Sequence, residues 1–150
     1  MSQYPVELAV IGSGGAAFAA AIHATTLGKR VAMIERGTLG GTCVNTGCIP
    51  SKALLHATHA ISQARESERR GISFGNPTVD LAKLRAWKDS ILAKLSGGVA
   101  QLAKMRGVGI WHGRGYFEDS NTLRVETPEG QKFISYEQAI IAVGSKSAVP

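Results

Sequence analysis

The chain has only two cysteines, Cys43 and Cys48, which lie five positions apart in the stretch GTCVNTGCIPSK. Paired thiols serve as a structural disulfide, as metal ligands or as a disulfide that exchanges with a substrate. A structural disulfide here would close a loop of about six residues and contribute about 2 kcal/mol, towards the low end of the usual range. A structural zinc site needs four ligands, although His56 and His59 on the next predicted helix leave a mixed site open.

Disulfide exchange explains the residues around the two cysteines better than a structural disulfide or a metal site does. Pro50 favours the first turn of a helix, which predicts that Cys48 lies where that helix begins, and a helix N-terminus favours a thiolate. Lys52 follows one turn later on the same face, where its charge would stabilise a thiolate or a reduced anionic ring stacked over it. Gly47 permits a turn tight enough to bring both sulfur atoms together. The local sequence therefore favours a redox-active pair.

A second chemical signal lies near the N-terminus. The apolar run VELAVI (6–11) predicts a strand, GSGGAA (12–17) a glycine turn, and residues 16–27 a helix. A second predicted strand, residues 29–35, ends on an acid. This order matches the βαβ unit of dinucleotide-binding proteins, although a glycine-rich core turn remains the alternative.

Each position of the G-x-G-x-x-A fingerprint has a physical role in such a unit. Gly12 would form the tight turn, Gly14 would let the backbone approach a pyrophosphate, and Ala17 would let the helix pack closely on the strand. The phosphates would lie at the positive N-terminus of the helix. Glu35 would accept hydrogen bonds from ribose hydroxyls, and its charge would repel a 2′-phosphate.

The rest of the chain predicts an α/β fold, a Rossmann-like domain with a parallel sheet, long helices and a small antiparallel β-meander. Gly97-Gly98, inside the second long helix, predicts a kink or a close contact. The predicted elements are helices over residues 50–70 and 80–105, strands over 109–112, 122–126 and 132–136, and a buried final strand over 138–143.

Composition and charge narrow the class of protein. A chain of 150 residues with 44% hydrophobic content suits one domain with a real core. The start of the chain lacks the basic region of a signal peptide, so we expect a cytoplasmic location. The longest uncharged stretch is interrupted by glycines and polar residues, so we expect no membrane span. We assign the net charge of +6, which is concentrated over residues 65–106, to solvated helix faces and expect no nucleic-acid partner.

The motifs together resemble a known family. GGTCVNTGCIPSKALL, with the preceding GSGGAA and ERGTLGGT, resembles the FAD-dependent pyridine nucleotide-disulfide oxidoreductases. Within that family, IPSKALL and the later AIIAVGS are similar to dihydrolipoamide dehydrogenases, whereas glutathione reductases favour VPKK. Two departures are GSGGAA, which is common in mercuric reductases, and Val143, where many members have threonine. The resemblance covers nearly the whole chain.

The resemblance implies roles for individual residues. Cys43 is similar to the interchange thiol that attacks the substrate, Cys48 to the charge-transfer thiol nearest the flavin, and Lys52 to the residue near flavin N5. The residues that the resemblance places at FAD are Gly12, Gly14, Gly15, Ala16, Glu35, Arg36, Gly41, Thr42, Cys43, Cys48, Lys52, Gly115, Ala142, Gly144 and Ser145. It implies no metal ligands.

The implied reaction passes electrons from dihydrolipoamide through a Cys43-Cys48 disulfide and FAD to NAD⁺. The implied partners are a lipoyl domain of a 2-oxoacid dehydrogenase complex and a second subunit in a homodimer. We expect residues 1–150 to be the N-terminal portion of the FAD-binding domain, with the NAD-binding and dimerisation domains outside it. Mercuric reductase or another family member, a non-catalytic dinucleotide-binding module and an inactive truncated fragment remain alternatives.

Overall fold

The structure, a computed structural model, describes residues 3–146 and residue 148. The elements in chain order are β1 (Gln3–Ile11), α1 (Gly15–Thr26), β2 (Val31–Glu35), α2 (Gly41–Asn45), α3 (Cys48–Ser67), a 3-10 turn (Glu68–Arg70), α4 (Leu81–Met105), β3 (Gly109–His112), β4 (Arg114–Phe117), β5 (Thr122–Thr127) and β6 (Gly130–Ile141).

The strand before the glycine turn is central in the sheet. β1 pairs in parallel with β2 on one side and with β6 on the other, and β3 pairs in parallel with β2. β6 also pairs antiparallel with β5, which in turn pairs with β4, giving the order β3-β2-β1-β6-β5-β4. The carboxyl ends of β1, β2, β3 and β6 therefore meet at one edge of the parallel part.

Apolar layers cover both faces of the parallel strands, as expected for continuous apolar runs. On one face, α1 and the C-terminal end of α4 pack on Val10 and Met33, which are fully buried. On the other face, the meander of β4, β5 and β6 packs on Ala9 and Ile34 through Leu123 and its neighbours. The core thus lies on both sides of β1 and β2.

The two outermost strands of the sheet, β3 and β4, are joined by a single residue, Gly113. Its backbone N–H donates to the Glu35 carbonyl oxygen at 2.9 Å, which holds the junction against the end of β2. A Cβ on Gly113 would lie 2.3 Å from the Glu126 carbonyl oxygen. Only glycine fits this corner, where the sheet turns to fold its meander over the parallel strands.

Most predicted elements are confirmed, with several corrections. The predicted strands over 132–136 and 138–143 form one strand, β6, because residues 133–141 pair with β1 along one edge while residues 130–135 pair with β5 along the other. β4 and the short helix α2 were not predicted from the sequence. The predicted kink or close contact at Gly97-Gly98 is not supported, since α4 continues through both and a Cβ on either would meet nothing within 4 Å.

The two long helices carry much of the exposed apolar surface. Leu55 on α3 is 69% exposed, and Trp87 and Leu95 on α4 are each 40% exposed. Ala53 and Ala103 are the only buried residues of these two helices among those described. None of the helices in residues 3–146 is apolar over a sufficient length to cross a bilayer.

Candidate functional site

The glycine turn after β1 is fixed by backbone contacts at the sheet edge. Gly12 has φ +110°, and its N–H donates to the Ile34 carbonyl oxygen at 2.8 Å. A Cβ at this position would lie 2.3 Å from the carbonyl oxygen of Ala142, just beyond β6. The conformation and the space both require glycine, and the turn therefore lies directly against the AIIAVGS segment.

A cavity of about 360 Å³ opens at the carboxyl ends of the parallel strands, beside this turn. This is where ligands bind in open α/β sheets, and the volume is within the range of small-molecule sites. Three cationic side chains and one acid line it. The lining residues are Ile11, Gly12, Ile34, Glu35, Arg36, Gly113, Arg114, Gly115, Val143, Gly144, Ser145 and Lys146.

The acid in this cavity, Glu35, is half-buried and held at both carboxylate oxygens. The Ser13 hydroxyl donates to Oε2 at 2.6 Å, and the Gly37 backbone N–H donates to Oε1 at 2.8 Å. A carboxylate has about four lone-pair sites, so each oxygen keeps acceptor capacity after these bonds. The side chain is therefore preset to accept two further donors, such as the hydroxyls of a vicinal diol.

The N-terminus of α1 offers backbone donors next to the cavity. Its N-cap residue is Gly14, so no side chain caps the helix, and its first turn contains no acid. Gly15 and Ala16 are exposed there. The first N–H groups of a helix and the positive end of its dipole suit a phosphate group. The turn thus supplies an anion site adjacent to the acid that suits a ribose.

The first cysteine is positioned by a glycine corner that packs on the same turn. Gly41, with φ +61°, begins α2, and a Cβ on it would lie 2.6 Å from the Gly14 Cα. The Asn45 side-chain amide donates to the carbonyl oxygens of Thr38, Leu39 and Gly41 at 3.0 to 3.2 Å. These contacts hold a five-residue helix that its sequence alone would not favour.

The two cysteines lie on consecutive helices. Cys43 is on α2, and Cys48 is the first residue of α3, as predicted. Gly47 separates the helices, and a Cβ on it would lie 3.0 Å from the Thr42 carbonyl oxygen, so the turn is tight. Both cysteines are exposed, free thiols.

The surroundings of Cys43 affect the protonation of its thiol. The pKa of Cys43 is raised, first by a side-chain hydrogen bond with Cys48 and then by partial desolvation, while the Lys52 ammonium opposes the shift. A raised pKa keeps the proton on Cys43 in the reduced pair. Two exposed free thiols on consecutive helices form a dithiol that is accessible to a substrate.

The predicted residues fall into two adjoining groups. Six of them line the cavity: Gly12, Glu35, Arg36, Gly115, Gly144 and Ser145. The others lie at the α1 N-terminus or on α2 and α3, apart from Ala142, which contacts the turn. Six further residues line the cavity that were not predicted, and each lies within two positions of a predicted residue: Ile11, Ile34, Gly113, Arg114, Val143 and Lys146.

The mixed metal site that the sequence left open gains no support. Among residues 3–146 and 148, no three histidine, cysteine, aspartate or glutamate side chains are grouped as metal ligands. His56 and His59 are exposed on α3.

Comparison with known proteins agrees with this geometry. Residues 6–150 match the family model described as pyridine nucleotide-disulphide oxidoreductase. The chain is 46% identical over 140 residues to a dihydrolipoyl dehydrogenase of Geobacillus stearothermophilus, covering 93% of this chain and 30% of that protein. It is 44% identical over 148 residues to a dihydrolipoyl dehydrogenase of Bacillus subtilis, covering 97% of this chain and 32% of that protein.

The fold is also similar to a solved structure, the Cu(II) complex of the HOCl-induced flavoprotein disulfide reductase RclA from Escherichia coli. The TM-score is 0.75 at 29% identity, and the match covers 100% of this chain and 30% of that one. The chain thus spans about a third of the length of the proteins that it resembles.

Proposed function

The chain belongs to the pyridine nucleotide-disulphide oxidoreductase family, and from that premise we propose that it is the FAD-binding part of an enzyme that oxidises dihydrolipoamide to lipoamide with NAD⁺. The family is FAD-dependent, and the relatives named dihydrolipoyl dehydrogenase are oxidoreductases. The observation that carries the proposal is the placement of two exposed free thiols, Cys43 on α2 and Cys48 at the start of α3, on a corner that packs against the dinucleotide turn.

The fit of FAD is supported by the residues around the turn. Gly12 has no side chain, so the cofactor can approach the backbone there. The uncapped α1 N-terminus suits the pyrophosphate of FAD, and Glu35 suits its ribose diol. Gly12, Gly14, Glu35 and Gly115 would hold the adenosine diphosphate portion. FAD, when bound, supplies a two-electron acceptor for the thiol pair and a hydride donor for NAD⁺.

The cysteines carry out the disulfide exchange. A substrate thiolate attacks Cys43 Sγ, the Cys43-Cys48 bond breaks, and Cys48 leaves as a thiolate. The second substrate thiol then attacks the substrate sulfur bound to Cys43, which closes the cyclic disulfide and releases Cys43 as a thiol. The substrate loses two electrons and the cysteine pair gains them. The raised pKa of Cys43 supports its place as the sulfur that takes up a proton.

The proposed protein is larger than these 150 residues. We propose that the NAD site, the acid-base pair and the dimer interface belong to segments outside them, which agrees with the share of its relatives that the chain spans. A cytoplasmic homodimer that meets the lipoyl domain of a 2-oxoacid dehydrogenase complex is the corresponding assembly. The direct assay is NAD⁺ reduction with dihydrolipoamide by the purified full-length protein.

A mercuric reductase is the second candidate, favoured by Gly15-Ala16 within GSGGAA. It would use the same thiol pair to deliver electrons to Hg(II). Side-by-side assays with dihydrolipoamide plus NAD⁺ and with Hg(II) plus NADPH separate the two. Turnover of Hg(II) without turnover of dihydrolipoamide would replace the first candidate by the second.

Replacing the ribose acid tests the adenosine end of the site. Glu35→Ala in the full-length protein should weaken FAD binding by about 1 to 3 kcal/mol, because ribose hydroxyls lose a charged acceptor. FAD content after dialysis measures the loss. Glu7→Ala is the matched control, since Glu7 binds Arg30 at the surface, away from the cavity, and should leave FAD content unchanged. Equal FAD retention by the Glu35 variant and wild type would remove Glu35 from the ribose site.

The 150-residue chain by itself should associate and should show no NADH-dependent lipoamide reduction. The parallel sheet is not the cause of this association, because both of its faces are covered. The cause is the exposed apolar residues of α3 and α4. Light scattering and an activity assay test both points. A monomeric chain with stoichiometric FAD and measurable lipoamide activity would contradict the prediction.

A further inference from the structure

Ser13 is the only buried polar residue in the described part of the chain, with 1% of its surface exposed. It occupies the variable position between the two fingerprint glycines, where the motif itself requires no particular side chain. The residue therefore has a buried hydroxyl whose purpose the dinucleotide fingerprint does not explain.

The hydroxyl connects three segments of the site. Its proton is donated to Glu35 Oε2 at 2.6 Å, a distance typical of a charge-assisted hydrogen bond. The Gly40 N–H, which also points to the Ser13 carbonyl oxygen at 3.2 Å, approaches the hydroxyl oxygen at 3.3 Å. The hydroxyl oxygen thus accepts from one side and must donate towards the carboxylate on the other.

This arrangement restricts the Glu35 side chain in two places. The hydroxyl holds one carboxylate oxygen, and the Gly37 N–H holds the other at 2.8 Å. A half-exposed glutamate without these bonds would sample several rotamers, and binding a diol would then require the loss of that freedom. Held as it is, the carboxylate faces the cavity before any ligand arrives.

We propose that Ser13 is a positioning residue for the cofactor ribose, which acts through Glu35 rather than by touching the cofactor itself. This inference rests on the proposed FAD site. It assigns a role in affinity to a fingerprint position that was not among the predicted cofactor residues.

The test is a double-mutant cycle on the full-length apoprotein, with the FAD dissociation constant measured by flavin fluorescence. Ser13→Ala should raise the dissociation constant about tenfold, because the carboxylate loses the bond that orients it. In the Glu35→Ala background the same substitution should change it by less than about twofold, because the group through which Ser13 acts is gone. If Ser13 only stabilised the fold, Ser13→Ala would weaken FAD binding by a similar factor with and without Glu35.

Ser96→Ala is the matched control. The Ser96 hydroxyl donates to the Leu39 carbonyl oxygen at 3.1 Å and holds the same loop without contacting Glu35. Thermal unfolding should detect a loss of stability in both serine variants, whereas only Ser13→Ala should weaken FAD binding. Wild-type affinity in Ser13→Ala, or equal losses in both backgrounds, would overturn the inference alone. Absence of FAD binding by the wild type would overturn the proposed function as well.

Discussion

Replacing Cys43 by serine in the full-length protein should abolish dihydrolipoamide turnover, with a loss on the order of a thousandfold or more, since the attacked sulfur is removed. The variant should also show a long-wavelength charge-transfer absorbance before any reductant is added. The reason is that Cys48, left without a disulfide partner, can donate from its thiolate to oxidised FAD. The measurements are steady-state NAD⁺ reduction and the visible absorption spectrum.

Cys48→Ser is the matched comparison because it removes one thiol from the same pair. It should lose turnover to a similar degree, since no disulfide can form, but it should lack the charge-transfer band. Cys43 lies on α2, whereas Cys48 is the first residue of α3, where the helix N-terminus favours a thiolate. Equal spectra for the two variants would overturn the division of roles between the two sulfurs.

Gly12→Ala should destabilise the protein by about 3 kcal/mol or more and prevent FAD binding. Two costs combine, since φ +110° is strained for a side-chain-bearing residue and the new Cβ would lie 2.3 Å from the Ala142 carbonyl oxygen. Relief of this overlap would move the turn away from β6 and open the edge of the cavity. Urea unfolding and FAD content measure the two effects.

Gly28→Ala is the control that distinguishes backbone strain from steric overlap. Gly28 also has positive φ, +76°, but a Cβ there would meet nothing within 4 Å. We expect it to cost only about 1 to 2 kcal/mol and to leave FAD content unchanged. A Gly12 variant no less stable than the Gly28 variant would mean that contact with Ala142 does not constrain the turn.

The sequence predicts the local elements of the fold well and their pairing less well. Periodicity identifies α4. In the structure the helix begins after Asp80, whose side chain caps it by accepting from the Lys83 N–H. The predictions divide β6 in two because the pairing with β1, which holds residues 133–141 in one strand, involves residues distant in sequence. β4 has only four residues and an exposed arginine, so its pairing with β5 stabilises it more than its composition does.

Prediction of the site residues is limited in the same way, by contacts between residues distant in sequence. Fingerprint spacing predicts Gly12 and Glu35, because those positions have fixed relations to a βαβ unit. α2 could not be predicted, since bonds from Asn45 to the preceding loop and the packing of Gly41 on Gly14 hold it together. Ser13 was missed because its partner, Glu35, is 22 residues away and the hydrogen bond exists only once β1 and β2 lie side by side.

The exchange reaction itself is tested most directly by counting thiols in the FAD-loaded full-length protein. Alkylation followed by mass spectrometry reports Cys43 and Cys48 separately, before and after one equivalent of dihydrolipoamide under anaerobic conditions. Both cysteines of the oxidised protein should resist alkylation, and both should become labelled to the same extent after the dithiol is added. Two thiols that are labelled before dihydrolipoamide is added, or a pair that it leaves unlabelled, would contradict disulfide exchange at Cys43 and Cys48.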